Sequence, residues 1–171
     1  MRKPISSAAT LLLLAAIASF AGERARIKIT SSAFQEGGNI PTKFTCAGSD
    51  TSPPLQVTGV PSEAKSLVLI ADDPDAPGGL FTHWLIWNIA PQINSIPEGN
   101  APKGVRGTND FGKSDYKGPC PPSGTHKYSF KVFALDRDLD LRTGAKRSQV
   151  DAAMKGHVLS QGELVGRYAR K

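Results

Sequence analysis

Leu67-Val68-Leu69-Ile70-Ala71-Asp72-Asp73-Pro74-Asp75-Ala76-Pro77 is the stretch on which the reading of this chain turns. The apolar run reads as a buried strand, and it stops in three carboxylates and two prolines, which are turn residues. Six residues past Pro77, His83 opens a second apolar run, Trp84-Leu85-Ile86-Trp87-Asn88-Ile89. Both runs are apolar on both faces, so both should lie centrally in a sheet that is covered on each side. The strand pair then delivers Asp73, Asp75 and His83 to one end of the sheet. Ionisable groups held there on a rigid scaffold suit a small polar ligand. An acidic, solvated turn between two strands accounts for the same local pattern.

Working outward, Arg26-Ile27-Lys28-Ile29-Thr30-Ser31 alternates as a half-buried strand does. Phe34 to Asn39 reads as a turn, Ile40 to Cys46 as a short strand and Leu55-Gln56-Val57 as another. Gly99 to Gly124 is rich in glycine and proline. It is expected to be an ordered loop, with Phe111 and Tyr116 packing, Cys120 pinning it, and backbone N–H groups free to converge on an anion. Lys127 to Leu135 is a strand with Tyr128, Phe130, Val132 and Ala134 on one face. Ser148, with Asp151 three residues on, should cap a helix whose buried stripe is Val150, Ala153, Met154 and Val158. His157 beside it reads as structural. Gly162 should end the helical region, and Glu163 to Tyr168 form a last strand. Short strands separated by turns predict a mainly β domain, an antiparallel β-sandwich with Greek-key connections and a C-terminal helix.

The first residues are read as an address. Arg2 and Lys3 precede the apolar run Ala8 to Ala18, and Ser19-Phe20-Ala21 puts small residues around a cleavage point. This predicts a signal peptide over 1–21, cleavage after Ala21, and a mature domain over 22–171. The run is shorter than the roughly 20 residues of a membrane span, so stable insertion is not expected. The chain should be exported, to the periplasm or outside. Beyond the leader, 19 Lys plus Arg face 15 Asp plus Glu. The excess is mild and spread out, without a basic stripe interleaved with aromatics, which argues against nucleic acid as a partner. The two cysteines, Cys46 and Cys120, are expected to form a disulfide, as an even count in an exported chain suggests; free buried thiols are the alternative.

A second group of candidates lies in Gly118-Pro119-Cys120-Pro121-Pro122-Ser123-Gly124-Thr125-His126-Lys127-Tyr128. His126 sits at a strand start, as His83 does, and Pro121-Pro122 stiffens the approach. This segment, together with Asp73-Pro74-Asp75-Ala76-Pro77, His83-Trp84 and Asn109-Asp110-Phe111-Gly112, resembles the phosphatidylethanolamine-binding protein family, in its bacterial Raf-kinase-inhibitor-like branch. Weaker matches run from Phe44-Thr45-Cys46-Ala47-Gly48 through Ser52-Pro53-Pro54-Leu55 to Phe133-Ala134-Leu135-Asp136, so the resemblance spans essentially the mature chain.

The resemblance implies a small anion pocket formed by Asp73, Asp75, His83, Pro121, Pro122, His126 and Tyr128, with Gly118 in the loop wall. The segment between Pro77 and His83 is short, so the lining aromatic there must be Phe81. Eukaryotic members gate the pocket with a C-terminal helix; here the chain stops soon after Tyr168, so the resemblance does not carry over that gating or the kinase regulation that goes with it. The resemblance implies a non-enzymatic binding protein, without cofactor, for phosphorylated head groups such as phosphoethanolamine. The alternative is an inhibitor or regulator that docks its pocket-rim loops on a protease or kinase.

Chemically, the imidazoles, the loop amides and the Tyr128 hydroxyl are donors for a phosphate. A carboxylate accepting from an imidazole fixes its tautomer, and a carboxylate can also face the ammonium of a zwitterionic head group. Three rival readings use the same residues. Asp73, Asp75, His83 and His126 could bind zinc. Ser123 could serve a hydrolase, although no Gly-x-Ser-x-Gly elbow is present. The Asp–His groups could also merely stitch strand ends together.

Overall fold

The computed structural model describes residues 26–170. The expected signal peptide lies outside the described residues. Eight of the ten elements among the described residues are strands, and they build two antiparallel sheets. The smaller sheet runs in the order β1 (Lys28–Thr30), β2 (Leu55–Thr58), β5 (Ser95–Ile96). The larger runs β6 (Val105–Arg106), β4 (Phe81–Ile89), β3 (Ser66–Asp73), β7 (Thr125–Leu135), β8 (Val158–Ala169). The remaining two elements are a 3-10 turn, Thr42–Phe44, and one helix, α1 (Arg147–Met154). After the β3–β4 hairpin the chain visits the small sheet at β5, returns at β6, and enters β7 beside β3 instead of β4. That long return is the expected Greek-key connection.

The two apolar runs of the sequence are β3 and β4, the middle of the large sheet. All eight residues of β3 are buried. Their alternate side chains enter two different cores. Leu67, Leu69 and Ala71, with Trp84, Ile86 and Phe130, meet Ile29, Leu55, Val57 and Ile96 of the small sheet. Val68, Ile70, Leu85 and Trp87 pack on the other side under Val150 and Met154 of α1 and under Leu139. A strand covered on both faces has no polar phase, which is why its sequence does not alternate. Strand β7 does alternate, and Tyr128, Phe130, Val132 and Ala134 all face the inter-sheet core, as expected.

Three local expectations are corrected. Ile40 to Cys46 is not a strand: Phe44 and Thr45 donate backbone N–H groups to Pro41 and Thr42, and the Thr45 hydroxyl adds a bond to Thr42, closing a tight turn. Helix α1 starts earlier than Ser148; Lys146 is its cap, and the Gln149 side chain accepts the Lys146 N–H at 3.0 Å. It also ends earlier. Gly156, at φ +84°, turns the chain back, so Val158 opens β8 and is exposed instead of completing the helical stripe. Gly162 consequently lies inside β8, where a Cβ would meet the Ile27 carbonyl at 2.3 Å. The helix therefore precedes a twelve-residue final strand. No helix among the described residues is long and apolar enough to cross a membrane.

Candidate functional site

The end of β3 sorts its carboxylates by strand alternation. Asp72 points with Val68 and Ile70 toward the helix, where Arg147 Nη1 donates to both its oxygens at 2.5 and 2.6 Å and Thr82 Oγ1 donates at 3.2 Å. Asp72 thus anchors α1 to the sheet. Asp73 points the other way, with Leu69 and Ala71. Its Oδ2 accepts the His126 Nδ1 proton at 2.8 Å, and its Oδ1 accepts the Asp75 N–H at 2.9 Å. Asp75 is exposed, and its carboxylate accepts the Lys127 N–H at 2.8 Å, tying the turn to the start of β7.

His83 reaches the same side through an irregularity. The β3–β4 register runs Ala71 opposite Trp84 and then Asp72 opposite Thr82, so His83 is an extra residue with no partner. A bulge of this kind turns a side chain out of the normal alternation. His83 consequently shares a face with its neighbour Trp84. Its ring meets Tyr128 edge-on at 5.3 Å, between centroids, and contacts Phe81 at 5.4 Å and Phe111 at 5.2 Å. Tyr128 also stacks on His126 at 6.4 Å. One phenol therefore contacts both imidazoles, and the two halves of the site meet.

Each imidazole has its Nδ1 proton assigned by an acceptor. His83 Nδ1 donates to the Lys117 carbonyl at 2.7 Å, as His126 Nδ1 does to Asp73. In the neutral form each ring then offers Nε2 as an acceptor, and only protonation makes Nε2 a donor. Burial lowers the His83 pKa below 6.5; the Lys117 hydrogen bond and the charges of Asp73 and Asp72 oppose that shift without cancelling it. The Tyr128 hydroxyl is buried and has no hydrogen-bond partner in normal geometry. Burial first, and then the Asp73 carboxylate nearby, push its pKa far up, so it stays a neutral donor.

The wall behind His83 is the segment 116–121. The Tyr116 hydroxyl donates to the Phe44 carbonyl at 2.9 Å, Gly118 N–H donates to Asp50 Oδ1 at 2.7 Å, and Cys46 N–H donates to the Pro119 carbonyl at 3.1 Å. The Cys46–Cys120 disulfide, with 5.4 Å between Cα atoms, clips the same two segments together. The opposite wall is the loop 109–113. Asn109 Nδ2 donates to the His83 carbonyl at 3.1 Å, and Thr82 N–H donates to Asp110 Oδ2 at 2.6 Å. These bonds pin the loop to β4 and bring Phe111 over His83.

A family model for phosphatidylethanolamine-binding protein matches residues 30–169. The chain belongs to the phosphatidylethanolamine-binding protein family. A UPF0098 protein of Pyrococcus horikoshii is 48% identical over 173 residues, covering 95% of this chain and 87% of its own length. A UPF0098 protein of Methanothermobacter thermautotrophicus is 49% identical over 150 residues, covering 84% and 99%. Among solved structures, a phosphatidylethanolamine-binding protein homologue from Chlamydia trachomatis superposes with a TM-score of 0.82 at 41% identity, covering 86% of this chain and 99% of that one. Escherichia coli YbcL, described as a member of the mammalian family, gives 0.80 at 31% identity, covering 86% and 100%.

Against the pocket that family resemblance implied, the residues fall into three groups. Asp73, His83, His126 and Tyr128 converge, and Phe81 joins them through His83 and through Phe111 at 4.9 Å. Asp75 braces the turn. Pro121 is buried and Pro122 exposed in the approach to β7. Gly118 is a correction: its N–H is not free for an anion, because Asp50 holds it. It is glycine for space, since a Cβ would lie 2.2 Å from the Phe44 carbonyl. Phe111 and Asp50 were missed as site residues. Phe111 carried a signal within Asn109-Asp110-Phe111-Gly112; Asp50 looked like an ordinary turn residue. His157 bonds Asp136 at 2.9 Å, away from the site. Among the described residues, no three His, Cys, Asp or Glu stand together as metal ligands. A groove of about 760 Å³ lies elsewhere, along β7 and β8 beside Arg26, Lys131 and Arg147.

Proposed function

We propose that the chain is an exported, non-enzymatic binding protein that takes a phosphorylated head group, such as phosphoethanolamine, between His83, Tyr128 and His126. The observation that carries this reading is the convergence of the buried Tyr128 hydroxyl, which lies near the Asp73 carboxylate and the Cys120 backbone without a hydrogen bond of normal geometry, with two imidazoles whose Nδ1 protons are already committed. A buried donor that is poorly satisfied is costly, and one that lies beside two imidazoles can turn to a ligand acceptor. A phosphate oxygen meets that need, and protonated Nε2 atoms add charge-assisted donors. Asp73 and Asp75 lie close by for the ammonium of a zwitterion. The aromatic side chains around His83 exclude water and strengthen each polar contact.

The test is calorimetric titration with phosphoethanolamine, inorganic phosphate and ethanolamine. Phosphoethanolamine should bind best and ethanolamine not at all. In mildly acid buffer, where His83 is protonated, His83→Ala should weaken the phosphate ester at least about tenfold, in keeping with a lost charge-assisted bond. Wild-type protein that binds none of the phosphates, or a variant that binds them as well, would sink the proposal.

The second reading, a protein target such as a protease or kinase, draws on the rim. Leu80, next to Phe81 in the chain, and Phe111, against Phe81 and His83, are 50% and 41% exposed. A pull-down in which Leu80→Ser with Phe111→Ser loses a partner that His83→Ala keeps would favour it.

A further inference from the structure

Asp50 closes a turn in the sequence and touches neither imidazole, yet its backbone is unusual: φ is +53°, in the left-handed region that non-glycine residues seldom adopt and that Asp and Asn tolerate best. Such a conformation persists where surrounding contacts hold it. Here the contacts are on the carboxylate. Oδ1 accepts the Gly118 N–H at 2.7 Å, and Oδ2 accepts Lys117 Nζ at 2.7 Å.

The Gly118 N–H and the Lys117 carbonyl belong to one peptide unit. That unit is planar and rigid, with its N–H and C=O directed to opposite sides. Asp50 holds the N–H, and His83 Nδ1 donates to the C=O at 2.7 Å. The Lys117 N–H in turn donates to the His83 carbonyl at 3.2 Å. A carboxylate, a peptide plane and an imidazole therefore form one line. A charged acceptor on the N–H also polarises the carbonyl and strengthens its bond to the imidazole.

We infer that Asp50 is a positioning residue of the imidazole site: it orients the Lys117–Gly118 peptide so that His83 keeps its proton on Nδ1 and turns Nε2 to the ligand. The inference rests on the reading of His83 as a phosphate contact, but its primary test does not need a ligand.

That test is the ¹⁵N–¹H spectrum of the His83 ring in three variants. Asp50→Gly accepts the left-handed backbone and removes only the carboxylate. Asp50→Ala removes the carboxylate from the same left-handed backbone. Asp50→Asn tolerates the backbone and keeps an oxygen for Gly118 while losing the charge. Wild type and Asp50→Asn should show the Nδ1–H tautomer. Asp50→Gly and Asp50→Ala should show a tautomer mixture and a lower titration midpoint, because the Lys117 carbonyl that favours the protonated ring has moved; Asp72 and Asp73, the charges facing His83 from β3, are unchanged in all three. Inorganic phosphate should bind Asp50→Gly at least about tenfold more weakly and Asp50→Asn within about threefold of wild type. Should Asp50→Ala fail to fold, Asp50→Gly decides. A wild-type tautomer and midpoint in Asp50→Gly overturn the inference. If wild type binds no phosphate while the tautomer still shifts, the ligand reading falls and the positioning role stands.

Discussion

His126 and Asp73 are joined by a 2.8 Å hydrogen bond between the second residue of β7 and the last residue of β3, with both side chains at or below 10% exposed. The bond links the two strands whose ends carry the site and fixes which nitrogen of His126 bears the proton. It is therefore both a structural stitch and a part of the site.

Asp73→Asn should lower the unfolding free energy by about 1.5–3 kcal/mol, the range for a hydrogen bond involving a charged group. The amide donates where the carboxylate accepted, so the contact to His126 Nδ1 survives only if the ring moves its proton to Nε2, and the charge-assisted bond is lost in either case. Urea unfolding monitored by tryptophan fluorescence measures the change. A loss under about 0.5 kcal/mol would mean that the pair contributes little to the fold.

pH should act on stability and on binding in opposite directions. The folded pKa of His83 lies below its unfolded value of about 6.5, because burial disfavours the charged ring. The unfolded chain then binds more protons, so His83 contributes stability that is present above about pH 6.5 and is lost as pH falls through the folded pKa. Anion binding has the reverse sign, since protonation turns Nε2 into a donor. Sulfate, which does not titrate in this range, is the suitable probe. Its affinity should rise as the pH is lowered from about 8 to about 5 while the melting temperature of the free protein falls. In His83→Gln both slopes should flatten; parallel slopes in wild type and variant would remove His83 from the account.

Loss of the disulfide should cost stability more than affinity. Cys46 and Cys120 are 74 residues apart, and a bridge over a loop of that size contributes roughly 3–5 kcal/mol on the chain-entropy estimate. The wall behind His83 keeps its bonds from Tyr116 to Phe44 and from Gly118 to Asp50. Cys46→Ser with Cys120→Ser should therefore lower the melting temperature clearly and change phosphate affinity by less than about threefold. A tenfold loss of affinity in the folded variant would show that the bridge holds the site itself.

Arg147→Ala removes two hydrogen bonds from Asp72, whose side chain has no exposed surface, and leaves it Thr82 Oγ1 at 3.2 Å and Lys131 Nζ at 3.4 Å. Breaking a buried pair from one side costs about 3–5 kcal/mol when the remaining charge is unpaired, so with Lys131 still in reach the loss should fall below that range. Asp72→Asn in the same chain should recover part of that loss; because the Asp72 charge also raises the His83 pKa, the double variant should bind phosphate somewhat more weakly than Arg147→Ala alone. Denaturant melts of the single and double variants give the coupling.

Much of this was legible in the residues. Leu67 to Ala71 and Trp84 to Ile89 announced central strands because neither phase of the alternation is polar, and the cysteine count announced the bridge. The ordered motifs carried the family. Local errors fell where backbone turns override composition, as at Thr42–Phe44, and where a single left-handed glycine, Gly156, ended the helix.

What the sequence determined by itself is which strands are central and which polar groups stand at their ends, since burial on two faces and turn chemistry are local properties of residue type. Which of those groups meet was decided only by the tertiary structure. One unpaired residue in a register swings His83 to the face of Tyr128, and strand alternation divides Asp72 from Asp73. A peptide plane connects Asp50 to an imidazole thirty-three positions away. Register and long-range hydrogen bonds depend on the partner strand, and no local pattern encodes the partner.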